Sequence, residues 1–240
     1  MDDVAALYAA DPRPPHPDGR PWVLLNMVAS VDGATSVDGV SGSLGGDADR
    51  AVFAAIRAVA DVILVGAGTV RAEGYGAPRP SAAARAAREA RGRPPAPRLA
   101  IVTSSVDLDP RAPLFADAEP ANHPFVVTAL GALPERLAAI AAVTDEVIVA
   151  GDGRVDSAMA LQELGHRGAQ VVLCEGGPSL NGQLIAAGVV DEVCLTVAPV
   201  LASGDSARIA RGPAPVSPLG LRLDRALEAD GTLWIRYVRA

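Results

Sequence analysis

Lysine is absent from this chain: all 21 basic residues are arginine. That removes Schiff-base chemistry, a Walker-type phosphate loop and a serine–lysine dyad. Cysteine is almost absent too. Cys174 and Cys194 sit inside apolar runs (VVLCEGG, EVCLTV), so both read as reduced core residues and no disulfide framework or zinc site is expected. The three histidines, His16, His123 and His166, stand far apart with no His-x-Glu or His-x-x-x-His spacing. Metal catalysis and serine or cysteine triads are therefore not expected. Aromatic residues make up 3% of the chain, which leaves the core to Ala, Val, Leu and Ile. No apolar run reaches the length of about 18 residues needed to span a bilayer, and no basic segment followed by an apolar stretch opens the chain. A soluble, cytoplasmic protein is expected. The net charge of −7 gives no general attraction to nucleic acid or to a membrane surface.

What remains is a chain of 240 residues, half of them apolar, a length that suits one large α/β domain. Residues 1–20 are polar and proline-rich (DPRPPHPDGR) and read as a flexible lead-in; 21–240 read as a single domain. WVLLNMVASV at 22–31 is a strand ending in the turn pair Asp32-Gly33. Asp47 is placed to cap a helix running to about Ala60, with Val52, Phe53, Ile56 and Val59 on one face. DVILVG at 61–66 is the continuous apolar run of a buried parallel strand. Further strands are read at 98–105, 125–128, 146–151, 169–177 and 192–201, with helices between them and an exposed helix within 77–97. The end of the chain, LRLDRALEADGTLWIRYV, alternates around Asp230-Gly231 and signals a hairpin. The expected fold is three-layered: a mixed, mostly parallel sheet with helices on both faces and a C-terminal antiparallel hairpin.

Ligands bind such sheets outside the carboxyl ends of the strands. That rule selects residues 32–46, 66–73, 103–105 and 175–182, all small-residue or polar turns. Gly66-Ala67-Gly68-Thr69 follows a strand; glycines admit a ligand close to the backbone and a helix start attracts anions, while a plain tight turn explains the same residues. Glu175-Gly176-Gly177-Pro178-Ser179-Leu180 repeats the pattern, with Pro178 suited to a first helical position. Glu175 is costly at the end of an apolar strand unless it meets partners or water. It reads either as a solvent-facing end residue or as an acceptor for the N–H groups of a substrate.

Taken together, NMVASVDG, DVILVGAGTVRAEGYG, IVTSS and CEGGPSLNGQLIAAGVVDEVCLTVAP resemble the reductase domain of bacterial riboflavin-biosynthesis deaminase-reductases, and in particular its stand-alone pyrimidine-reductase relatives. The likeness spans roughly residues 20 to 238; the deaminase's zinc signature is missing. The resemblance implies a dihydrofolate-reductase-like fold, NADPH as cofactor, a homodimer, and reduction of the ribosyl group of 5-amino-6-(phosphoribosylamino)uracil. By position it implies Val28, Ala29, Gly66, Gly68, Thr69, Val70, Ser104, Gly176, Gly177, Pro178, Ser179 and Leu180 at the cofactor. Ser41, Arg79 and Glu175 fall on the substrate side. Glu73, one helical turn after Thr69, stands where the family usually has Asp and is an acid or orienting residue, or a solvated helix carboxylate. Asp32 is a second catalytic candidate, although its Asp-Gly turn also explains it.

The chain departs from the family at two places. Asn26, counted on the substrate side, replaces a common Lys, and the loop at Ser43 lacks a Trp. Arg79 would then supply a phosphate-binding cation, or be one of many surface arginines. Two other readings stay open: a same-fold reductase of a dihydropterin or similar heterocycle, and a non-catalytic NADPH-binding protein.

Overall fold

A computed structural model describes residues 4–37, 39–144 and 146–240. In chain order the elements begin with α1 (Val4–Ala10), β1 (Trp22–Ser30), α2 (Asp47–Val59), β2 (Val62–Gly66), α3 (Ala67–Glu73), α4 (Ala82–Glu89), β3 (Arg98–Val102), α5 (Pro113–Ala116) and β4 (Phe125–Leu130). They continue with α6 (Pro134–Ala141), β5 (Val147–Asp152), α7 (Ser157–His166), β6 (Val171–Cys174), α8 (Pro178–Ala186), β7 (Glu192–Ala198), β8 (Leu221–Ala229) and β9 (Thr232–Arg239).

The strands form one sheet in the order β5-β4-β3-β2-β6-β1-β7-β9-β8. From β5 to β7 every neighbour is parallel; β9 and β8 are antiparallel. The apolar runs of β1, β2 and β6 follow from this, because a central parallel strand is covered on both faces. Leu24, Ile63, Ile101 and Leu173 pack on one side with residues of α1, α2, α3, α5 and α6. Val23, Leu64, Val127 and Cys174 pack on the other with α7 and α8. The architecture is the three-layered, mostly parallel one expected. The hairpin also holds: Asp230 and Gly231 have φ of 51° and 77°, the left-handed pair that a tight β8–β9 connection needs.

Three local expectations are corrected. Gly46, not Asp47, occupies the cap of α2; Asp47 stands in the first turn, where its charge complements the positive end of the helix dipole. The helix in 77–97 is not merely an exposed one, since Arg88 is fully buried and donates to the carbonyls of Ala58, Ala60 and Pro94. The lead-in, of which residues 1–3 lie outside the described residues, is held to the domain by Tyr8, Arg13 and Arg20, although most of 4–20 is exposed. Tyr8 is 1% exposed in the core, Arg13 donates twice to Glu192, and Arg20 donates twice to Asp191. Both carboxylates are buried and require those cations as partners.

Candidate active site

The middle of β1, the carboxyl half of β7, the residue after β6, and residues along the lengths of α2 and α3 enclose a cleft of about 500 Å³. Asn26 and Val28 of β1 and Thr196 of β7 line it, because alternate residues of a strand face one side and Val28 is in register with Thr196. One wall is a stripe of α2, Asp49, Phe53 and Arg57, spaced four apart. Thr69, Glu73 and Tyr75 form the opposite wall, and Ser41, Gly42 and Gly45 the rim.

At one end Glu175 turns out of the sheet to meet α2. Nε and Nη2 of Arg57 donate to its two oxygens at 2.7 and 2.6 Å, and the Tyr75 hydroxyl adds a bond of 2.7 Å. Burial raises the Tyr75 pKa well above the phenol range and the neighbouring carboxylate raises it further, so Tyr75 stays a donor. Burial works against the Arg57 charge, but Glu175 outweighs it and the guanidinium is held protonated. Arg57 also lies over the Phe53 ring, 4.3 Å from its centroid. Glu175, expected either as a solvent-facing end residue or as an acceptor for a substrate, is buried and lines the cleft already engaged by protein donors. Oε2 takes two protein donors and Oε1 one, and Glu175 and Arg57 line the cleft together.

Near the start of α2, Asp49 Oδ1 accepts from Thr196 Oγ1 at 2.8 Å and Trp234 Nε1 at 2.9 Å. On the rim, Glu73 Oε1 accepts from both the backbone N–H and the hydroxyl of Ser41, each at 3.0 Å. That contact ties α3 to the loop carrying Ser41, which suits the orienting option for Glu73. Asn26 is half-buried in the cleft, and its side chain has no partner among the described residues.

The two glycine turns lie side by side. Gly66 N–H donates to the Gly176 carbonyl at 2.8 Å, and a Cβ on Gly66 would stand 3.6 Å from the Gly177 nitrogen. A Cβ on Gly177 would come within 2.6 Å of Thr69 Oγ1, whereas one on Gly68 would meet open space. Gly176 has φ of 89°, and the peptide joining it to Gly177 is cis. The Gly177 N–H has no partner among the described residues. Open room beside unpaired main-chain donors is the environment an anionic dinucleotide requires.

Other expected residues are placed elsewhere or engaged. Leu180 is buried in the second core layer and its N–H donates to the Gly177 carbonyl, so it offers a ligand neither side chain nor donor. Val70 is a core residue whose carbonyl accepts from Tyr75. Arg79 lies outside the cleft, exposed and paired with Asp117 at 2.9 Å. Ala29 faces the opposite side of the sheet from Val28 and lines a separate hollow with Asp32 and Arg208. Asp32 accepts from Ser30 Oγ and from the backbone N–H groups of Ala202 and Ser203. These bonds, Ser30 first, hold its carboxyl down at about 2. Asp32 thus staples the end of β1 to the chain beyond β7, away from the cleft, and the geometry does not support the catalytic candidate. Ser104 is exposed just past β3, and Ser179 is in the first turn of α8.

Asp49, Phe53, Arg57, Tyr75 and Thr196 were not anticipated from sequence. The four-residue spacing of Asp49, Phe53 and Arg57 carried a signal, since two charged residues on the face that bears Phe53 have to meet something there. Among the described residues no helix is long and apolar enough to cross a membrane.

The chain is similar to proteins already known. The sequence pattern of the RibD C-terminal domain matches residues 21–233. A 2,5-diamino-6-ribosylamino-4(3H)-pyrimidinone 5′-phosphate reductase of Methanothermobacter thermautotrophicus is 31% identical over 79% of this chain and 82% of its own. A pyrimidine reductase-like protein of Corynebacterium diphtheriae superposes with a TM-score of 0.87 at 27% identity, covering 100% of this chain and 99% of that one. A dihydrofolate reductase of Enterococcus faecalis complexed with NADP(H) shares the fold, with a TM-score of 0.51 at 14% identity over 92% of this chain and 97% of its own.

Proposed function

The chain belongs to the RibD C-terminal domain family, and from that premise we propose that it is an NADPH-dependent reductase of a ribosylaminopyrimidine 5′-phosphate. The observation that carries this reading is the contact of the two glycine turns, Gly66 to Gly176 at 2.8 Å, beside a cleft large enough for a nucleotide-sized ligand.

The donor set fits a phosphorylated dinucleotide. Gly66, Gly68 and Thr69 on one turn and Gly176, Gly177, Pro178 and Ser179 on the other would hold the cofactor, with Ser104 at its far end. The main chain at Val28 and Ala29 would border the reacting ring. When bound, NADPH supplies the hydride. The protein's own task is orientation and charge. Phe53 and Val28 give the pyrimidine apolar walls, Asn26 and Ser41 offer it hydrogen bonds, and Glu73 keeps the Ser41 loop over the cleft. Arg50 at the mouth and Arg57 within are the cations that line the site, and they take the place of the absent lysine opposite a substrate phosphate. The same reading makes the enzyme cytoplasmic and a homodimer, paired through the outer strands, where Leu221 and Leu223 are exposed.

The test is NADPH oxidation by the purified protein, followed by absorbance, with ribosylaminopyrimidine phosphates and with dihydropterins. Turnover of the former is expected. Turnover of a dihydropterin alone would move the substrate assignment, tight NADPH binding without turnover would make this a binding protein, and no binding at micromolar NADPH would end the proposal.

A further inference from the structure

Asp49 is a carboxylate of the cleft that is fixed through one oxygen and has its other oxygen wholly without a donor among the described residues. The cleft holds two others. Glu175 Oε2 is filled by Arg57 and Tyr75 while its Oε1 accepts once from Arg57, and Glu73 serves Ser41 at the exposed rim. Asp49 Oδ1 accepts two donors, one from the Trp234 indole, itself 2% exposed. An oxygen with two donors is full. Oδ2 has no partner among the described residues. Oδ2 lies beside Gly45, where an added Cβ would come within 2.6 Å of it. The fold thus fixes an anionic acceptor on the cleft wall through one oxygen and leaves the other without a donor.

Such an acceptor selects between the two forms of ribosylaminopyrimidine phosphate that name the related reductases. A 2-amino-pyrimidin-4-one presents adjacent N–H donors at C2 and N3. A uracil presents a carbonyl at C2, and a carboxylate facing it would pair acceptor with acceptor. Resting on the reductase reading above, we propose that Asp49 Oδ2 accepts from the 2-amino group and makes the enzyme selective for the 2,5-diaminopyrimidinone over the 5-aminouracil. A partly desolvated charge that loses its donor and meets an acceptor is penalised heavily.

The geometry also fixes what Asp49→Asn does. Trp234 Nε1 can only donate, so the amide oxygen must take the Oδ1 position and the amide NH2 the Oδ2 position. The variant places a donor where the wild type has an acceptor. The experiment measures dissociation constants and kcat/KM for both pyrimidine phosphates, on wild type and Asp49→Asn, in the presence of NADPH. Wild type is expected to favour the diamino compound by about 100-fold. The variant is expected to shrink that ratio at least about tenfold, by losing the diamino compound and gaining the uracil. A wild-type ratio near one, or an equal loss on both compounds in the variant, overturns the inference. Turnover of both compounds alike would defeat it and leave the reductase reading standing. Selective binding of the diamino compound without turnover would do the reverse, and failure to bind either defeats both.

Discussion

Arg57 and Glu175 meet side-on, Nε and Nη2 of one against the two oxygens of the other at 2.7 and 2.6 Å. The Glu175 side chain is 3% exposed and that of Arg57 30%, so the pair is anchored at its carboxylate and open at its guanidinium. Removing the charge of Glu175 leaves a half-buried cation without its counterion. Glu175→Gln should lower stability by about 2 kcal/mol and raise KM for the pyrimidine, because Arg57 is then free to leave its place over Phe53. NADPH affinity should hold within about twofold, since the change touches no proposed cofactor donor. Denaturant titration and steady-state kinetics decide this. An unchanged KM would show that Arg57 does not serve the substrate.

The glycine turns give a sharper test, because stability and binding should move in opposite directions. Gly68 is in a helix and a Cβ there meets open space. Gly68→Ala should therefore stabilise the fold by about 0.5–1 kcal/mol while weakening NADPH binding, since that open space is where the cofactor is proposed to lie. At Gly177 the added Cβ collides with Thr69 Oγ1. Gly177→Ala should lose both stability and affinity, and adding Thr69→Ala should recover the stability alone. A Gly68→Ala protein that is more stable and binds NADPH as before would move the cofactor away from α3.

Much of this fold could be read in the residues because its strands are continuous apolar runs and its turns are glycine pairs. β1, β2 and β6 carried that signal, and Asp230-Gly231 marked the hairpin. Of the residues that line the cleft, Asn26, Val28, Ser41, Thr69, Glu73 and Glu175 were named from sequence, and the turns Gly66–Thr69 and Gly176–Ser179 stand as the proposed cofactor contacts. Arg57 and Tyr75 meet Glu175 from 118 and 100 residues away, and no local pattern reports such a contact. Asp32 misled because a turn carboxylate bonded to nearby main chain looks, in sequence, like an active one. Arg13 and Arg20 were hidden in a proline-rich segment whose composition suggests looseness, while their partners Glu192 and Asp191 lay at the start of β7.

The cysteines should be inert in the folded protein. Burial pushes the Cys174 thiol up to about 12 and Cys194 higher still, with Glu192 adding to the latter. The thiolate is the reactive species, so at neutral pH almost none is present and neither sulfur is reachable. A thiol-specific chromogenic reagent should label neither residue in the native enzyme and both in denaturant. Rapid labelling of the native enzyme would show that one of these cores opens.

Glu192 makes acid stability a test of the N-terminal segment. Its side chain is fully buried and accepts from Arg13, Arg236 and Trp22. Burial alone would raise its pKa, but the Arg236 bond and the Arg13 charge outweigh that and hold it below the ordinary carboxylate range. An unfolded chain titrates this group near about 4.3. The stabilisation is therefore complete above that value and is lost as pH falls through the lower folded value. Arg13→Ala removes one of the two cations and should cost about 3 kcal/mol at pH 7, with a smaller penalty at pH 3, where Glu192 is closer to neutral in both proteins. Thermal melts of the two proteins at both pH values measure the difference. An equal penalty at each would mean that Arg13 contributes packing rather than charge, and no penalty at all would mean that residues 4–20 do not dock as the ion pairs require.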